Sequence, residues 1–425
     1  MINIKPFQSN ETFALELDAH DPLSHYRKQF LIPKFQNEEA IYFCGNSLGL
    51  QPKGVKEAID GELSKWEKLG VEAHFEKEKP WYSYHEIFPD MVSKIVGSKP
   101  HEVVLMNSLT VNLHLMMTSF YNPTPKRHKI LMEQNPFPSD YYAVETQIRY
   151  HGLDPEKSLM TAKPKSNSPI LLMEDWEEVF KDQGEEIALV LIGGVNYYTG
   201  QGFDIERISR LAKQYGCKIG IDLAHAAGNL ILQLHDWEVD FAVWCQYKYL
   251  NCGPGAVGGA FVHEQYAEHF NGPRLAGWWG ALPDKRFQIS SSFKPQPGAN
   301  GWQISNPPIF SMAPCRVSLN LFNEAGMENL REKSLLLTGY LEFLLNEISN
   351  SDFSIITPKN PEERGCQLSL HIKEKGKEVI SNLKSQGIIC DFREPGCIRI
   401  APVPFYNSFH EVWRFSEIFK NLLEK

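Results

Sequence analysis

Short apolar runs recur along the first two thirds of the chain, separated by longer amphipathic or polar segments. The runs are EVVLM (102–106), KILME (129–133), IALVLI (187–192), KIGID (218–222) and FAVWC (241–245). Near-continuous apolar strands are typical of sheets that are buried on both faces, and helix-length spacers are typical of parallel strand connections. The chain is therefore predicted to be an α/β protein with a mostly parallel central sheet.

The pattern becomes helical from about Met312, where leucines recur at helical spacing through SLNLFNEAGMENLREKSLLLTGYLEFLLNEI (318–348). This predicts a pair of long helices that leads into a second domain. The segments that follow are typical of a small α+β domain: IITP (355–358), CQLSLHI (366–372), IICDFRE (388–394), CIRIAPVP (397–404) and SFHEVWRFSEIFKNLL (408–423). We predict an N-terminal segment, residues 1–60, packed on the small domain, a large domain, residues 61–310, and a small C-terminal domain, residues 311–425.

Composition limits the classes of partner. The net charge is -9 and the pI is about 5.9, which disfavours nucleic acid and anionic membrane surfaces. The sequence shows neither a signal-peptide pattern nor eighteen consecutive apolar residues. Its eight cysteines include no C-x-x-C pair, which fits a reducing cytoplasm and predicts no metal site. A small-molecule substrate is the expected partner.

The segment GPGAVG (253–258) satisfies the G-x-G-x-x-G pattern of dinucleotide-binding loops. That pattern requires a helix after the glycines, whereas GGAFVHE (258–264) has the composition of a strand. We therefore do not predict a dinucleotide site here.

Two polar residues follow neighbouring predicted strands. Asp222 ends KIGID, and Lys248 follows FAVWC 26 residues further along the chain. The carboxyl ends of parallel strands meet at the sheet edge where ligands bind. Asp222 by itself also fits a helix N-cap before LAHAAGN (223–229). Taken together, the two residues are predicted to reach a single ligand.

A lysine and an acid in this arrangement suit pyridoxal 5'-phosphate. The cofactor is attached through a lysine, and an acid beside its pyridine nitrogen keeps the ring protonated and able to accept electrons. Its phosphate needs hydroxyl and backbone N–H groups at a helix start. Ser108, Leu109 and Thr110 open a predicted helix shortly after EVVLM, so they are candidate phosphate ligands.

Nine segments, in order, resemble the kynureninase family, whose members are fold type I pyridoxal phosphate enzymes of the aspartate aminotransferase superfamily. They are GNSLGLQP (45–52), NSLTVNLH (107–114), NPFPSDYYA (135–143), YYTGQ (197–201), DLAHAAGN (222–229), WCQYKYLNCGPG (244–255), ISNPP (304–308), ERGCQL (363–368) and IRIAPVPFYNSFH (398–410). The resemblance extends from about residue 22 to 420. It implies a cytoplasmic enzyme that acts as a homodimer in tryptophan catabolism and NAD biosynthesis.

The resemblance also implies a set of site residues. Lys248 would hold the cofactor, Asp222 would pair with the pyridine nitrogen, and Tyr247 would contact the phosphate and act as an acid. The implied cofactor-binding residues are Leu109, Thr110, Phe137, Pro138, Ser139, Asp140, Asp222, His225, Tyr247 and Lys248, together with Trp278 and Asn306 from the neighbouring subunit. The family often has a serine where this chain has Gly193, so a side-chain hydroxyl contact is missing there.

The implied reaction is hydrolysis of the Cβ–Cγ bond of L-kynurenine or 3-hydroxy-L-kynurenine, which gives L-alanine and the anthranilate. The substrate carboxylate calls for an arginine fork, for which Arg399 is the candidate, and the resemblance adds Ser47 to the substrate site. His74, Ser305 and Asn306 match family members that favour the 3-hydroxy substrate. We therefore expect 3-hydroxykynurenine to be preferred, because a site built to bind a hydroxyl discriminates against the analogue without it.

Two alternatives remain open. A class V aminotransferase or a cysteine desulfurase would share the lysine, the acid and the arginine. A desulfurase also needs a mobile nucleophilic cysteine, whereas Cys315, Cys366, Cys390 and Cys397 lie in apparent helix or strand contexts. The second alternative is a cofactor-binding protein without catalytic activity, against which the intact Lys248, Asp222 and Arg399 argue.

Overall fold

The computed structural model describes residues 6–165, 168–288 and 292–424. Within them the α-helices are α1 (Glu11–Ala19), α2 (Val55–Leu69), α3 (Pro89–Val96), α4 (Leu109–Phe120), α5 (Pro138–Tyr150), α6 (Pro155–Ser158), α7 (Met173–Gln183), α8 (Ile205–Gln214), α9 (Ile309–Ala325), α10 (Met327–Asn346), α11 (Gly376–Ser385) and α12 (Phe409–Leu423). Short 3-10 helices cover Ser24–Gln29, Gly70–His74, Trp81–Ile87, Pro100–Glu102, Gly184–Glu186, Glu264–Tyr266, Trp278–Gly280, Gly298–Trp302 and Pro361–Glu363.

The strands of the same residues are β1 (Phe30–Leu31), β2 (Lys34–Phe35), β3 (Glu38–Glu39), β4 (Ile41–Tyr42), β5 (Gln51–Pro52), β6 (Val103–Leu105), β7 (Lys129–Met132), β8 (Leu159–Thr161), β9 (Ile187–Gly193), β10 (Lys218–Asp222), β11 (Phe241–Trp244), β12 (Gly259–Val262), β13 (Phe353–Ile355), β14 (Leu368–Ile372), β15 (Ile388–Ile389), β16 (Asp391–Arg393) and β17 (Cys397–Ile400).

Seven of these strands form the central sheet in the order β6-β12-β11-β10-β9-β7-β8. Strand β12 is antiparallel to both of its neighbours, and the other adjacent pairs are parallel. Each predicted apolar run forms a strand, and β12 follows the GPGAVG segment where a dinucleotide site would need a helix. The predicted α/β architecture with a mostly parallel sheet is confirmed.

The central sheet is buried on both faces, which explains why its strands are apolar at nearly every position. In β9, Val190 and Ile192 join one hydrophobic core, whereas Leu189 and Leu191 join the core on the opposite face. Alternate residues of a strand point to opposite faces, so a strand covered on both sides must be apolar throughout. Helices α4 and α5 cover the second face, and α3, α7, α8 and α9 cover the first.

A separate antiparallel sheet, in the order β13-β14-β17-β16, lies in the C-terminal part. Its core includes Leu341, Ile398 and Phe415, together with Phe13 and Phe43 from the N-terminal segment. Helix α1 packs against α12, and β4 pairs with β15. Helix α9 spans the predicted boundary at residue 311 and contributes to the large core, so the exact domain bounds stay a prediction.

Two C-terminal segments differ in detail from their sequence patterns. IICDFRE forms two strands instead of one, because β15 pairs with β4 of the N-terminal segment while β16 pairs with β17. Near IITP, the strand is β13, which ends at Ile355. Because β13 is a half-exposed edge strand, its residues need not be apolar at every position as in a buried strand.

Among the described residues, none of the helices combines the length and the apolar character that a membrane crossing requires.

Candidate active site

The carboxyl ends of the central strands surround one cavity. Glu133 directly follows β7, Gly193 ends β9, Asp222 ends β10 and Lys248 follows β11. The lining residues are Leu109, Thr110, Glu133, Phe137, Ser139, Asp140, Gly193, Val195, Tyr197, Asp222, Ala224, His225, Tyr247 and Lys248. Nine residues predicted from the sequence therefore lie together: Leu109, Thr110, Phe137, Ser139, Asp140, Asp222, His225, Tyr247 and Lys248.

Three carboxyl groups lie in this cavity. The backbone N–H of Ala224 donates a 2.7 Å hydrogen bond to Asp222. Burial and the neighbouring Asp222 carboxylate raise the pKa of Asp140 well above its ordinary value. Burial raises the pKa of Glu133 to about 7. Ionising all three adjacent buried carboxyl groups would cost much free energy, so at least one of them is protonated.

Lys248 is the amine of the site and is only 8% exposed. Its Nζ lies 5.5 Å from the ring centroid of Phe137 and 5.9 Å from that of Tyr247. The N–H of Gly49 donates to the carbonyl of Tyr247 at 2.8 Å. A Cβ at Gly49 would lie 2.3 Å from the Lys248 carbonyl oxygen, so only glycine permits this close packing. The loop that carries Ser47 therefore braces the backbone of Lys248.

Two further titratable side chains stay neutral near pH 7. Burial, together with the positive charges of Lys248 and Arg399, lowers the pKa of His225 well below its ordinary value. The Nδ1 of His225 is buried and has no hydrogen-bond partner among the described residues. Burial and the adjacent Cys245 raise the pKa of Tyr247 above its ordinary value. Tyr247 therefore keeps its proton near neutral pH and can act as an acid.

Helix α4 begins at the edge of the cavity. Its first residues, Leu109 and Thr110, line the cavity, and Thr110 Oγ1 lies 2.9 Å from Ser139 Oγ at the start of α5. A Cβ at Gly258 would lie 3.2 Å from the Leu109 nitrogen, so a glycine at this position lets the loop before β12 approach the helix start. Backbone N–H groups at a helix start and adjacent hydroxyls favour an anion such as a phosphate.

Arg399 lies beside the cavity and is 1% exposed. Its Nε donates to Asp391 Oδ1 at 2.6 Å, and its Nη2 donates to the other carboxylate oxygen. Its Nη1 donates to the carbonyl of Tyr197, a lining residue, at 2.8 Å. These bonds engage all three guanidinium nitrogens, and one N–H on each of Nη1 and Nη2 remains for a further acceptor such as a carboxylate.

The remaining predicted residues lie outside this lining set in the described part of the chain. Pro138 begins α5 between two lining residues, and Ser47 lies in the loop against Lys248. His74 is half-buried against Trp81, with a ring separation of 5.5 Å. Trp278, Ser305 and Asn306 are exposed, on two loops joined by a hydrogen bond from the Trp279 N–H to the Ile304 carbonyl.

Four lining residues are not predicted from the sequence to have a role: Glu133, Val195, Tyr197 and Ala224. Glu133 was part of a predicted strand, and its position at the strand end is the one signal that pointed to the cavity. Tyr197 lay within a motif of the family resemblance, without a role. Its ring packs against Phe137 with a centroid separation of 5.2 Å.

Solved structures with this fold include several cysteine desulfurases. The apo structure of the enzyme from Thermococcus onnurineus NA1 matches with a TM-score of 0.75 and 18% identity, covering 96% of this chain and 98% of that chain. The desulfurase CsdA from Escherichia coli matches with a TM-score of 0.75 and 15% identity, covering 95% of this chain and 98% of that chain. These matches show the fold and confirm the predicted fold type I architecture.

The family is shown by the sequence matches. The kynureninase C-terminal domain matches residues 330–419. The kynureninase of Koribacter versatilis is 50% identical over 414 residues, which cover 97% of this chain and 98% of that protein. The human kynureninase is 46% identical over 441 residues, which cover 99% of this chain and 95% of that protein. The chain belongs to the kynureninase family.

Proposed function

We propose that this protein hydrolyses L-kynurenine and 3-hydroxy-L-kynurenine to L-alanine and the corresponding anthranilate, with pyridoxal 5'-phosphate as its cofactor. One observation carries the proposal: Lys248 and Asp222 line a single buried cavity in a chain that is 50% identical to a kynureninase over nearly its whole length. A role in tryptophan catabolism and NAD biosynthesis follows from this activity.

The residues of the cavity fit the cofactor. Lys248 supplies the amine for covalent attachment, and Asp222 supplies a carboxylate for the pyridine nitrogen. Leu109, Thr110 and Ser139 offer backbone N–H and hydroxyl groups for the phosphate. The partnerless Nδ1 of buried His225 and Oδ1 of buried Asp140 are polar atoms that a bound ligand would satisfy. Phe137 supplies an aromatic surface beside the lysine.

The cofactor, when bound, supplies an electron-accepting ring that stabilises negative charge developed on the substrate. Lys248 moves a proton at the substrate α-carbon through its Nζ. Tyr247, which retains its phenolic proton near neutral pH, gives a proton to the departing alanyl carbon. Arg399, oriented by Asp391 and the Tyr197 carbonyl, binds the substrate carboxylate with the remaining N–H groups of Nη1 and Nη2. Ser47 contributes to the same substrate site.

A cysteine desulfurase is the competing function, because the structural neighbours include such enzymes. No cysteine is among the described residues that line the cavity. Burial raises the pKa of both Cys366 and Cys397 to about 12, so their thiols stay protonated and poorly nucleophilic. The structure therefore favours kynurenine hydrolysis over desulfuration.

The active form is proposed to be a homodimer in which Trp278 and Asn306 complete the neighbouring cofactor site. Trp278 is 52% exposed, and Phe75 and Phe287 are more than 60% exposed. Their rings connect through Tyr82, which lies 6.1 Å from Phe75 and 5.9 Å from Phe287. Such an aromatic surface is unusual for a monomer and typical of an interface.

We further propose that 3-hydroxykynurenine is the preferred substrate. His74 and the exposed Ser305 and Asn306 are polar side chains able to hydrogen-bond a phenolic hydroxyl. The net charge of -9 argues against a nucleic-acid partner, and the eight cysteines without a C-x-x-C pair fit a cytoplasmic enzyme.

A turnover assay tests the function. The purified protein, reconstituted with pyridoxal phosphate, is incubated separately with kynurenine, 3-hydroxykynurenine and cysteine, while anthranilates, alanine, sulfide and keto acids are measured. We expect an anthranilate and alanine in equal amounts. Sulfide from cysteine, or keto acid without an anthranilate, would assign the protein to one of the alternative reactions. Cofactor binding without any turnover would make it a binding protein.

A further inference from the structure

Glu133 is a cavity residue with an unusual environment. It directly follows β7, is only 3% exposed, and lines the cavity with Asp222 and Lys248. Both of its carboxyl oxygens lie 3.2 Å from the backbone nitrogen of Gly193, which donates its N–H to them. Within the described residues no lysine or arginine forms an ion pair with Glu133. A buried carboxyl group that lacks a cation favours its neutral form.

The glycine at position 193 is matched to this carboxyl group. A Cβ at Gly193 would lie 3.1 Å from Glu133 Oε1, which is closer than ordinary side-chain contacts. The Glu133 carboxyl group therefore occupies the space that a side chain at position 193 would fill. Because Gly193 also lines the cavity, the Glu133 carboxyl supplies the polar group at this point of the wall.

Glu133 is also connected to Asp222 through the backbone. Gly193 is the partner of Asp222 in the register of β9 and β10. The next residue, Gly194, donates its N–H to the Asp222 carbonyl at 2.7 Å. The bond from the Gly193 N–H to Glu133 thus fixes the segment that holds Asp222.

The charges around Glu133 come from three elements. Asp222 lies at the end of β10, Asp140 in α5, and Lys248 in the loop after β11. Asp222 accepts a 2.7 Å bond from a backbone N–H, whereas Asp140 Oδ1 has no partner among the described residues. A single lysine cannot balance three ionised acids in a buried cavity. Glu133 shares one N–H between its two oxygens at 3.2 Å, whereas Asp222 accepts a separate and shorter bond. This difference favours placing the negative charge on Asp222 and protons on the other two acids.

We propose that Glu133 is a positioning residue of the cofactor site, which holds the end of β9 through Gly193 and carries a proton so that Asp222 remains the charged partner for the pyridine nitrogen. This inference rests on the proposed cofactor. Gly193 has no side chain that could make a polar contact in the cofactor site, and the Glu133 carboxyl group supplies that contact instead.

The first experiment measures the dissociation constant of pyridoxal phosphate at pH 7 for the full-length protein after cofactor removal. Glu133→Ala removes the carboxyl group, and we expect the affinity for pyridoxal phosphate to fall about tenfold. Glu133→Gln keeps the size, the acceptor and the neutral state, and should stay within about threefold of wild type. Glu102→Gln is the matched control, because Glu102 is a buried carboxyl group outside the cavity. It should leave the dissociation constant unchanged.

The second experiment is a double-mutant cycle with Gly193→Ala. The added Cβ would contact the Glu133 carboxyl group, so Gly193→Ala alone should weaken cofactor binding about tenfold. In the Glu133→Ala background the same substitution should weaken cofactor binding much less. If Glu133→Ala does not fold, Glu133→Asp, shorter by one methylene, takes its place in the cycle. Additive effects, or Glu133→Ala with wild-type affinity, would overturn the inference. A wild-type protein that does not bind the cofactor would instead overturn the proposed function.

Discussion

The cavity at the edge of the central sheet and the aromatic surface formed by Phe75, Trp278 and Phe287 differ in how complete they are within one chain. Lys248 in the cavity is 8% exposed, whereas Trp278 is 52% exposed. The residues of the cavity are held in place by the strand ends and by backbone hydrogen bonds, whereas the rings of the aromatic surface are exposed to solvent. The contrast fits the proposed homodimer, in which one chain holds the cofactor amine in its cavity and the exposed aromatic surface of the other chain completes the site.

The largest expected effect lies in the cavity. Lys248→Ala removes the amine that attaches the cofactor and moves the substrate proton, so turnover should fall by about 10⁴-fold or more. Borohydride reduction followed by mass spectrometry measures attachment: wild type should retain cofactor on the peptide that contains Lys248. Cofactor fixed to another lysine, or covalent retention in Lys248→Ala, contradicts the assignment.

Arg399 gives the next largest effect. Arg399→Ala should raise KM for the substrate by about 100-fold, because a charge-assisted carboxylate contact is lost. It also removes the fork that binds the half-buried Asp391 carboxylate and leaves it only the ion pair with Arg393, so unfolding should occur at a lower temperature. Arg399→Lys is the control, since it restores the charge without the fork geometry. An equal loss of cofactor and substrate affinity would show that Arg399 only supports the structure.

The buried strands could be predicted from the sequence because both faces of the central sheet are covered, which makes runs such as IALVLI continuous. The edge strands β8 and β13 are half-exposed and short, so they carry no such pattern. For the site, Asp222 and Lys248 were predictable from their positions after strands. Glu133 was not, because a glutamate after a strand is usually a solvated charge, and its burial depends on α5 and β9 packing around it.

Protonation of Glu133 in the cavity should make the free energy of unfolding depend on pH. The pKa of Glu133 is raised from an ordinary 4.5 to about 7 in the folded protein. The folded state therefore binds this proton more tightly, so its stabilising contribution is present below about pH 4.5 and is lost as pH rises through 7. Its full size is about 3 kcal/mol.

Unfolding of the cofactor-free protein by urea at pH 5 and pH 8 measures this effect. Glu133→Gln cannot titrate, so its stability relative to wild type should increase between pH 5 and pH 8, by at most about 3 kcal/mol. Titrating groups outside the cavity are common to both proteins and cancel in the difference, so what remains reports Glu133 and the acids coupled to it. A constant difference across this range would show that Glu133 does not exchange a proton there.

The aromatic surface predicts complementation between two inactive variants. Lys248→Ala lacks its own cofactor amine, and Trp278→Ala damages the neighbouring site. If the sites are shared, equal mixing forms heterodimers with one intact site, and activity should return to about a quarter of wild type. The separate variants provide the control. Sedimentation as an active monomer, or absence of recovery after verified subunit exchange, would place Trp278 in the site of its own chain.

The smallest expected effect concerns substrate choice. Replacing His74 with tryptophan and Asn306 with threonine removes polar partners for the phenolic hydroxyl, so the ratio of kcat/KM for 3-hydroxykynurenine over kynurenine should fall about tenfold. Both residues lie outside the lining of the cavity in their own chain. Because Asn306 is also proposed to complete the neighbouring cofactor site, His74→Trp alone is the variant that should leave cofactor affinity unchanged. Ser47→Ala, in the loop against Lys248, serves as a contrasting variant, because it should weaken both substrates alike. If wild type prefers kynurenine, the preference assigned to His74 and Asn306 is wrong, whereas the roles of Lys248 and Asp222 are unaffected. If His74→Trp alone weakens cofactor binding as much as substrate binding, the assignment of His74 to substrate selection is wrong.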